Sequence, residues 1–180
     1  RETVIVRTQG AIHAARAGAV ASLIRSVGPF SMQTPHTGGM SYADGVKKIP
    51  HAALSLEDAN MLSRIQARGE PLRVRLKMGA RTLADGISRN VVAEIPGTEK
   101  PEEIVIVSGH IDSWDVGQGA MDDGGGCLAA WEAARLMLRL GLQPRRTVRV
   151  VLWTNEENGI RGAIEYAKRH EATLAKHTLA

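Results

Sequence analysis

The 180-residue chain is 43% hydrophobic, which excludes disorder, and only 3% aromatic, which leaves the core to Val, Ile, Leu, Ala and Met. Its formal net charge of +4 is arginine spread along the chain, as in Arg64, Arg68, Arg73, Arg75 and Arg81; no recognition motif or basic-aromatic alternation accompanies it, so no nucleic-acid partner is expected. A single cysteine excludes a disulfide framework and a cysteine-rich zinc site, and no apolar run approaches the roughly 18 residues of a membrane helix, so no membrane partner is expected either.

The chain starts without Met or a charged-then-apolar leader, and is expected to be a soluble piece of something longer. Residues 3–6 are a β-branched run that predicts a short strand ended by Gly10; the alanine-rich stretch after it suits a short helix, and 19–27 reads as an apolar strand closed by Gly28-Pro29. Residues 30–50 hold Pro35, Gly38-Gly39 and Asp44-Gly45 and predict a loop. His13, His36 and His51 have no carboxylate at ligand spacing and receive no role. Ser55, three residues before Asp58, predicts the N-cap of a helix with an approximately helical apolar stripe of Leu56, Ala59, Met61, Leu62 and Ile65, stopped by Gly69 and Pro71. Residues 72–78 (LRVRLKM) alternate apolar and basic, predicting a half-buried strand with Arg73, Arg75 and Lys77 in water.

A polar connector over 79–89 leads to a predicted strand at 91–95, a Pro96-Gly97 turn and an exposed link over 99–103. An apolar strand over 104–107 follows, then a glycine-rich turn and CLAAWEAARLMLRLG, a helix closed by Gly141 with Pro144 beyond it. Cys127 opens that helix and reads as a small buried hydrophobe. Residues 148–153 predict a second buried strand, 159–168 a helix, and 171–180 a helix-compatible tail. Strand, helix, strand, helix with continuous apolar strands predicts an α/β fold whose mostly parallel sheet is covered on both faces.

The chemistry gathers where those two strands end. In an open α/β sheet, sites lie beyond the carboxyl ends of the strands. His110 and Asp112 are two apart and project together; an imidazole can bind a metal through one nitrogen while a carboxylate orients the ring through the other. Asp122-Asp123 sits in a glycine-rich turn, where either acid could instead cap the following helix. Glu156-Glu157 puts two carboxylates at the next strand tip, one able to ligate a metal and the other to act as general base, or both merely favouring a helix N-terminus. Together these acids and the histidine would repel one another without a cation. A dinucleotide site is not supported: after Gly117 and Gly119, Asp122 stands where a third glycine belongs, and no phosphate loop of the GxxxxGK type occurs.

The stretch GHIDSWDVGQGAMDDGGG at 109–126, with VVLWTNEENG at 150–159, resembles the co-catalytic zinc aminopeptidase and carboxypeptidase family, and the similarity runs upstream through 18–38 and 49–69. The resemblance implies a partial three-layer zinc-exopeptidase core over 85–180, preceded over 1–84 by part of a protease-associated-type α/β insert. It implies a metallo-exopeptidase that hydrolyses short peptides or dipeptides with a zinc-activated water, two Zn2+ per complete active site, and a secreted or lysosomal, possibly homodimeric parent. His110 would ligate one zinc, Asp122 bridge both and Glu157 ligate the other. Glu156 would be the general base, Asp112 would orient His110, and the Asp122-Asp123 bond would be cis. Asp115 and Asp123 receive no role. The family's further Asp and His ligands are not supplied after Glu157, since His170 and His177 fall on a helix leaving the site, so this segment alone is expected to bind zinc poorly and be inactive. The alternative is a non-catalytic receptor or scaffold on the same fold.

Overall fold

The β-branched run that opens the chain is helical rather than extended. In the computed structural model, which describes residues 2–29, 31–36, 38–81, 83–114 and 117–179, helix α1 spans Glu2–Arg16 without a break at Gly10. Strand propensity amounts to about 1 kcal/mol at most and yields to packing. Here Ala11 and Ile12 are buried, and Gly10 is small because a Cβ there would lie 2.8 Å from the His51 ring.

The chain divides into two units, Arg1–Ala84 and Asp85–Ala180. In the first, β1 (Ser22–Arg25) pairs in parallel with β2 (His51–Leu54), a strand that its small residues and single histidine hide from a propensity reading. Helix α2 (Leu56–Ala67) starts as predicted: the Ser55 hydroxyl accepts the Asp58 N–H at 3.0 Å. The strand predicted over 72–78 does not form. Its alternation is real, but no described strand pairs with it, and Leu72, Val74 and Met78 stay exposed.

The second unit is built on a four-stranded sheet of order β3-β5-β4-β6. Strands β4 (Lys100–His110) and β5 (Arg146–Trp153) are parallel, with His110 opposite Trp153 at their carboxyl ends. Strand β3 (Val91–Ile95) is antiparallel to β5. All of the supposed link over 99–103 except Glu99 belongs to β4, which begins at Lys100 and passes through a register irregularity before Ile104; the Thr147 hydroxyl donates to the Pro101 carbonyl there at 2.7 Å. The tail is not helical throughout. After a 3-10 turn (Glu171–Lys176) it forms β6 (His177–Leu179), parallel to β4, because the free edge of β4 offers a ladder that a helix cannot use. His170 is thus the C-cap of α4 (Arg161–Arg169), and His177 lies in a strand rather than on a departing helix.

Alternation along the strands gives the sheet two apolar faces. On one, Tyr166 of α4 packs with Ile104, Ile106, Val151 and Trp153. The other carries Val150 and receives α3 (Gly125–Arg139), whose Ala130 is buried. The result is a three-layer α/β arrangement with a mostly parallel sheet. Helix and strand come closest at Gly109, where a Cβ would stand 2.5 Å from the Cys127 backbone nitrogen. No described helix is long and apolar enough to cross a membrane.

Candidate metal centre

The site forms where β4 and β5 end side by side. Between β4 and α3, an irregular turn over Ala120–Gly124 contains a cis Asp122-Asp123 peptide, and both aspartates leave helical geometry. The turn points its two carboxylates to different work. Asp123 reaches back: its Oδ2 accepts the His110 backbone N–H and its Oδ1 accepts the Gly126 N–H, each at 3.0 Å. Asp122 faces the imidazole, its Oδ1 standing 3.0 Å from His110 Nε2.

The His110 ring is held from its other nitrogen. Nδ1 donates to the Asp112 backbone carbonyl at 2.8 Å, while the Asp112 carboxylate lies 3.8 Å away. The orienting contact therefore comes from the Asp112 main chain and not, as the sequence suggested, from its side chain. That carboxylate instead accepts the backbone N–H groups of Glu156 at 2.9 Å and Glu157 at 3.2 Å. The reason is local: the chain turns directly after β4, and the amides beyond β5 would otherwise lack acceptors. Asp112 thereby ties the two strand tips together. The nitrogen facing a carbonyl can only donate, so a neutral imidazole would keep its proton there and present Nε2 to a cation between the ring and Asp122.

One ligand atom each from His110, Asp122 and Glu157 lies within 4.8 Å of the others, an arrangement that can hold a metal ion. Glu156 Oε2 stands 3.8 Å from His110 Nε2, at the rim of the same group. The charges are out of balance. Burial, together with Asp122 and Glu156, pushes the Glu157 carboxyl above its ordinary range; His110 and a hydrogen bond from Trp114 act the other way and do not prevail. At His110, burial opposes the charged form, but the Asp112 carbonyl, Asp122, Glu156 and Asp123 outweigh it and raise the imidazole. A cation would relieve both.

The structure thus brings together four of the five residues singled out from the sequence, with the fifth, Asp112, bracing them from beneath. His170 and His177 join no metal-holding group among the described residues. Asp115 lies outside the described residues. Sequence reasoning gave Asp123 no role; its only signal was the aspartate-before-helix pattern, read as applying to either acid of the pair. Cys127 donates from Sγ to the His110 carbonyl at 3.1 Å, and burial raises its thiol, with Asp123 adding to this, which suits an inert structural residue.

The sequence model of peptidase family M28 matches residues 90–180. Over 99% of its length the chain is 56% identical to carboxypeptidase Q of Mus musculus, and over 98% it is 55% identical to carboxypeptidase Q of Homo sapiens; it spans 38% of each of those proteins. A crystal structure of a peptidase M28 precursor from Shewanella amazonensis superposes with a TM-score of 0.91 and 42% identity, covering 98% of this chain and 40% of that one. The residues that carry the candidate centre lie within the matched region, and the chain belongs to peptidase family M28.

Proposed function

We propose that the protein containing this chain is a zinc-dependent metallo-exopeptidase acting on short peptides or dipeptides. The observation that carries the reading is the convergence of His110, Asp122 and Glu157 within 4.8 Å, with Glu156 at its rim. One imidazole nitrogen and two carboxylate oxygens are the donor chemistry of a zinc site. His110 would hold one Zn2+, Glu157 a second, and Asp122 would be shared. When bound, the metal supplies Lewis acidity, polarising a peptide carbonyl and acidifying water.

The chain's own residues do the rest. Glu156 takes a proton from the attacking water on its carboxylate and returns it to the leaving amine, the work of a general base that becomes a general acid. Asp112 holds the Glu156 and Glu157 amides, so the base and the ligand keep a fixed distance. The Asp112 carbonyl keeps the proton on Nδ1 of His110, leaving Nε2 free to ligate. Because this chain spans 38% of its carboxypeptidase Q relatives, a full ligand set is expected to need residues beyond it, and the isolated segment to bind zinc weakly and turn over nothing. Residues 1–84 are proposed as part of a protease-associated-type domain, and the parent as a secreted or lysosomal homodimer.

The test is Glu156→Gln in the full-length protein, with zinc content measured beside peptide turnover. Turnover should fall roughly 100- to 10,000-fold with zinc retained. Unchanged turnover would remove Glu156 from the mechanism. A full-length protein that folds and holds no zinc would favour the receptor or scaffold reading.

A further inference from the structure

The turn that carries Glu156 and Glu157 is closed at its neck by a residue outside the acidic cluster. Antiparallel pairing of β3 with β5 ends with Val91 opposite Leu152, and continuing that register would set Arg89 opposite Thr154. The ladder is not continued by backbone. Instead the side chain of Asn90 takes over: its Oδ1 accepts the Thr154 N–H at 3.0 Å and its Nδ2 donates to the Gly162 carbonyl at 2.9 Å. Gly162 in turn donates its own N–H to the Thr154 carbonyl at 3.0 Å. One amide therefore joins the residue just after β5 to the first turn of α4.

Between those points the chain makes a tight excursion. Asn155 and Ile160 adopt positive φ of 55° and 56°, and the Glu156 carbonyl accepts from Gly159 at 2.9 Å and from Ile160 at 2.8 Å. Thr154 needs an acceptor and Gly162 a donor, and a carboxamide offers both from one planar group. The fit leaves no slack, since a Cβ on Gly162 would stand 2.3 Å from Asn90 Oδ1 and 2.4 Å from the Thr154 carbonyl.

We infer that Asn90 is a positioning residue for the metal centre, acting through the Thr154–Gly162 neck to hold Glu156 and Glu157 where Asp112 receives their amides. This rests on the proposed roles of Glu156 and Glu157. Asp112 fixes the tip of the turn; at its base Asn90 adds two hydrogen bonds to the one that Gly162 gives the Thr154 carbonyl.

The experiment uses the full-length protein and compares wild type with Asn90→Ala, Asn90→Asp, Gly162→Ala, Glu157→Ala and Val150→Ala. Asn90→Asp keeps the acceptor and loses the donor; Val150→Ala destabilises the same strand away from the neck. Zinc affinity is read by chelator competition, apart from activity, and kcat and KM are read separately. Both Asn90 variants and Gly162→Ala should weaken zinc binding about 10- to 100-fold and lower kcat by a similar factor with KM nearly unchanged, as expected when a support of a ligand is lost. Val150→Ala should lower the melting temperature and leave zinc affinity alone. If it loosens zinc as much, Asn90 acts only through general stability and the inference falls. If the Asn90 variants keep wild-type zinc affinity while Glu157→Ala loses it, the inference falls and the metal-site reading stands. If Glu157→Ala also leaves zinc binding unchanged, the metal-site reading itself has failed.

Discussion

Two groups of histidines stand in the same unit, and their company differs. His110 lies among carboxylates, with Asp122 at 3.0 Å and Glu156 at 3.8 Å of Nε2, and its imidazole is raised. His170 and His177 lie on the α4 side of the sheet around Tyr166, with ring centroids 4.3 Å and 5.8 Å from the phenol. There the ionic neighbour is Arg149, which donates to the Tyr166 hydroxyl and pairs with Glu94. His177 donates from Nδ1 to the Thr173 carbonyl at 3.0 Å, so its Nε2 accepts from the Tyr166 hydroxyl at 3.0 Å. Burial lowers His170, and Arg149 and His177 add to this against Glu94. The same side chain is thus set among carboxylates in one place and packed beside a guanidinium in the other. A histidine count reveals neither; the sign of the surrounding charge does.

The contrast can be broken at either end. The largest effect should come from His110→Ala in the full-length protein. Losing an outer partner of a ligand costs about 10- to 100-fold in metal affinity, so loss of the ligand itself should cost at least about 100-fold in both zinc affinity and turnover. A variant with normal zinc affinity would place the metal elsewhere. Next comes Tyr166→Phe, which removes the hydroxyl that Arg149 and His177 share and should cost about 1–2 kcal/mol in denaturant unfolding while leaving zinc affinity at the wild-type value. Loss of zinc there would mean that the two groups are coupled. The smallest effect is a pH dependence. The folded state lowers the pKa of His170, so the unfolded chain binds more protons in the window below about 6.5. The associated stability is present above that value and is lost as pH falls through the folded one. Melting temperatures of wild type and His170→Phe should therefore run parallel above pH 6.5 and diverge below it, wild type falling faster. Parallel behaviour down to pH 5 would show that His170 is not held neutral.

The strands that build the site were readable because they are largely apolar: 104–107 is an unbroken apolar run, and 148–153 is one broken only by Arg149. The helices with a cap or a good stop, at Ser55 and Gly141, were equally plain. Failures came where a partner decides. Residues 72–78 alternate like a strand, yet no described strand meets them. Residues 177–179 look helical but complete the edge of β4. Residues 3–6 favour a strand locally and are overruled by the packing of Ala11 and Ile12. In the site, the side chains that converge were visible as motifs. The contacts that hold them were not, because they are made to backbone: the Asp112 carbonyl on His110, the Asp112 carboxylate on two amides, and the Asn90 amide on the neck. A motif records which side chains are present, and says little about which main-chain groups they satisfy.

The contact at Gly109 bears on how exact the centre can be. With a backbone nitrogen 2.5 Å from where its Cβ would be, strand and helix meet main chain to main chain. Side chains settle into rotamers and can swing; peptide planes resting on one another cannot. His110 follows Gly109 directly, and Asp122 and Asp123 precede the helix end that rests upon it. The spacing between imidazole and carboxylate is therefore inherited from skeletal tolerances rather than from side-chain choice. Even an added methyl at that point would lift the helix like a shim and carry the aspartates away from the histidine, with every chemical group still present.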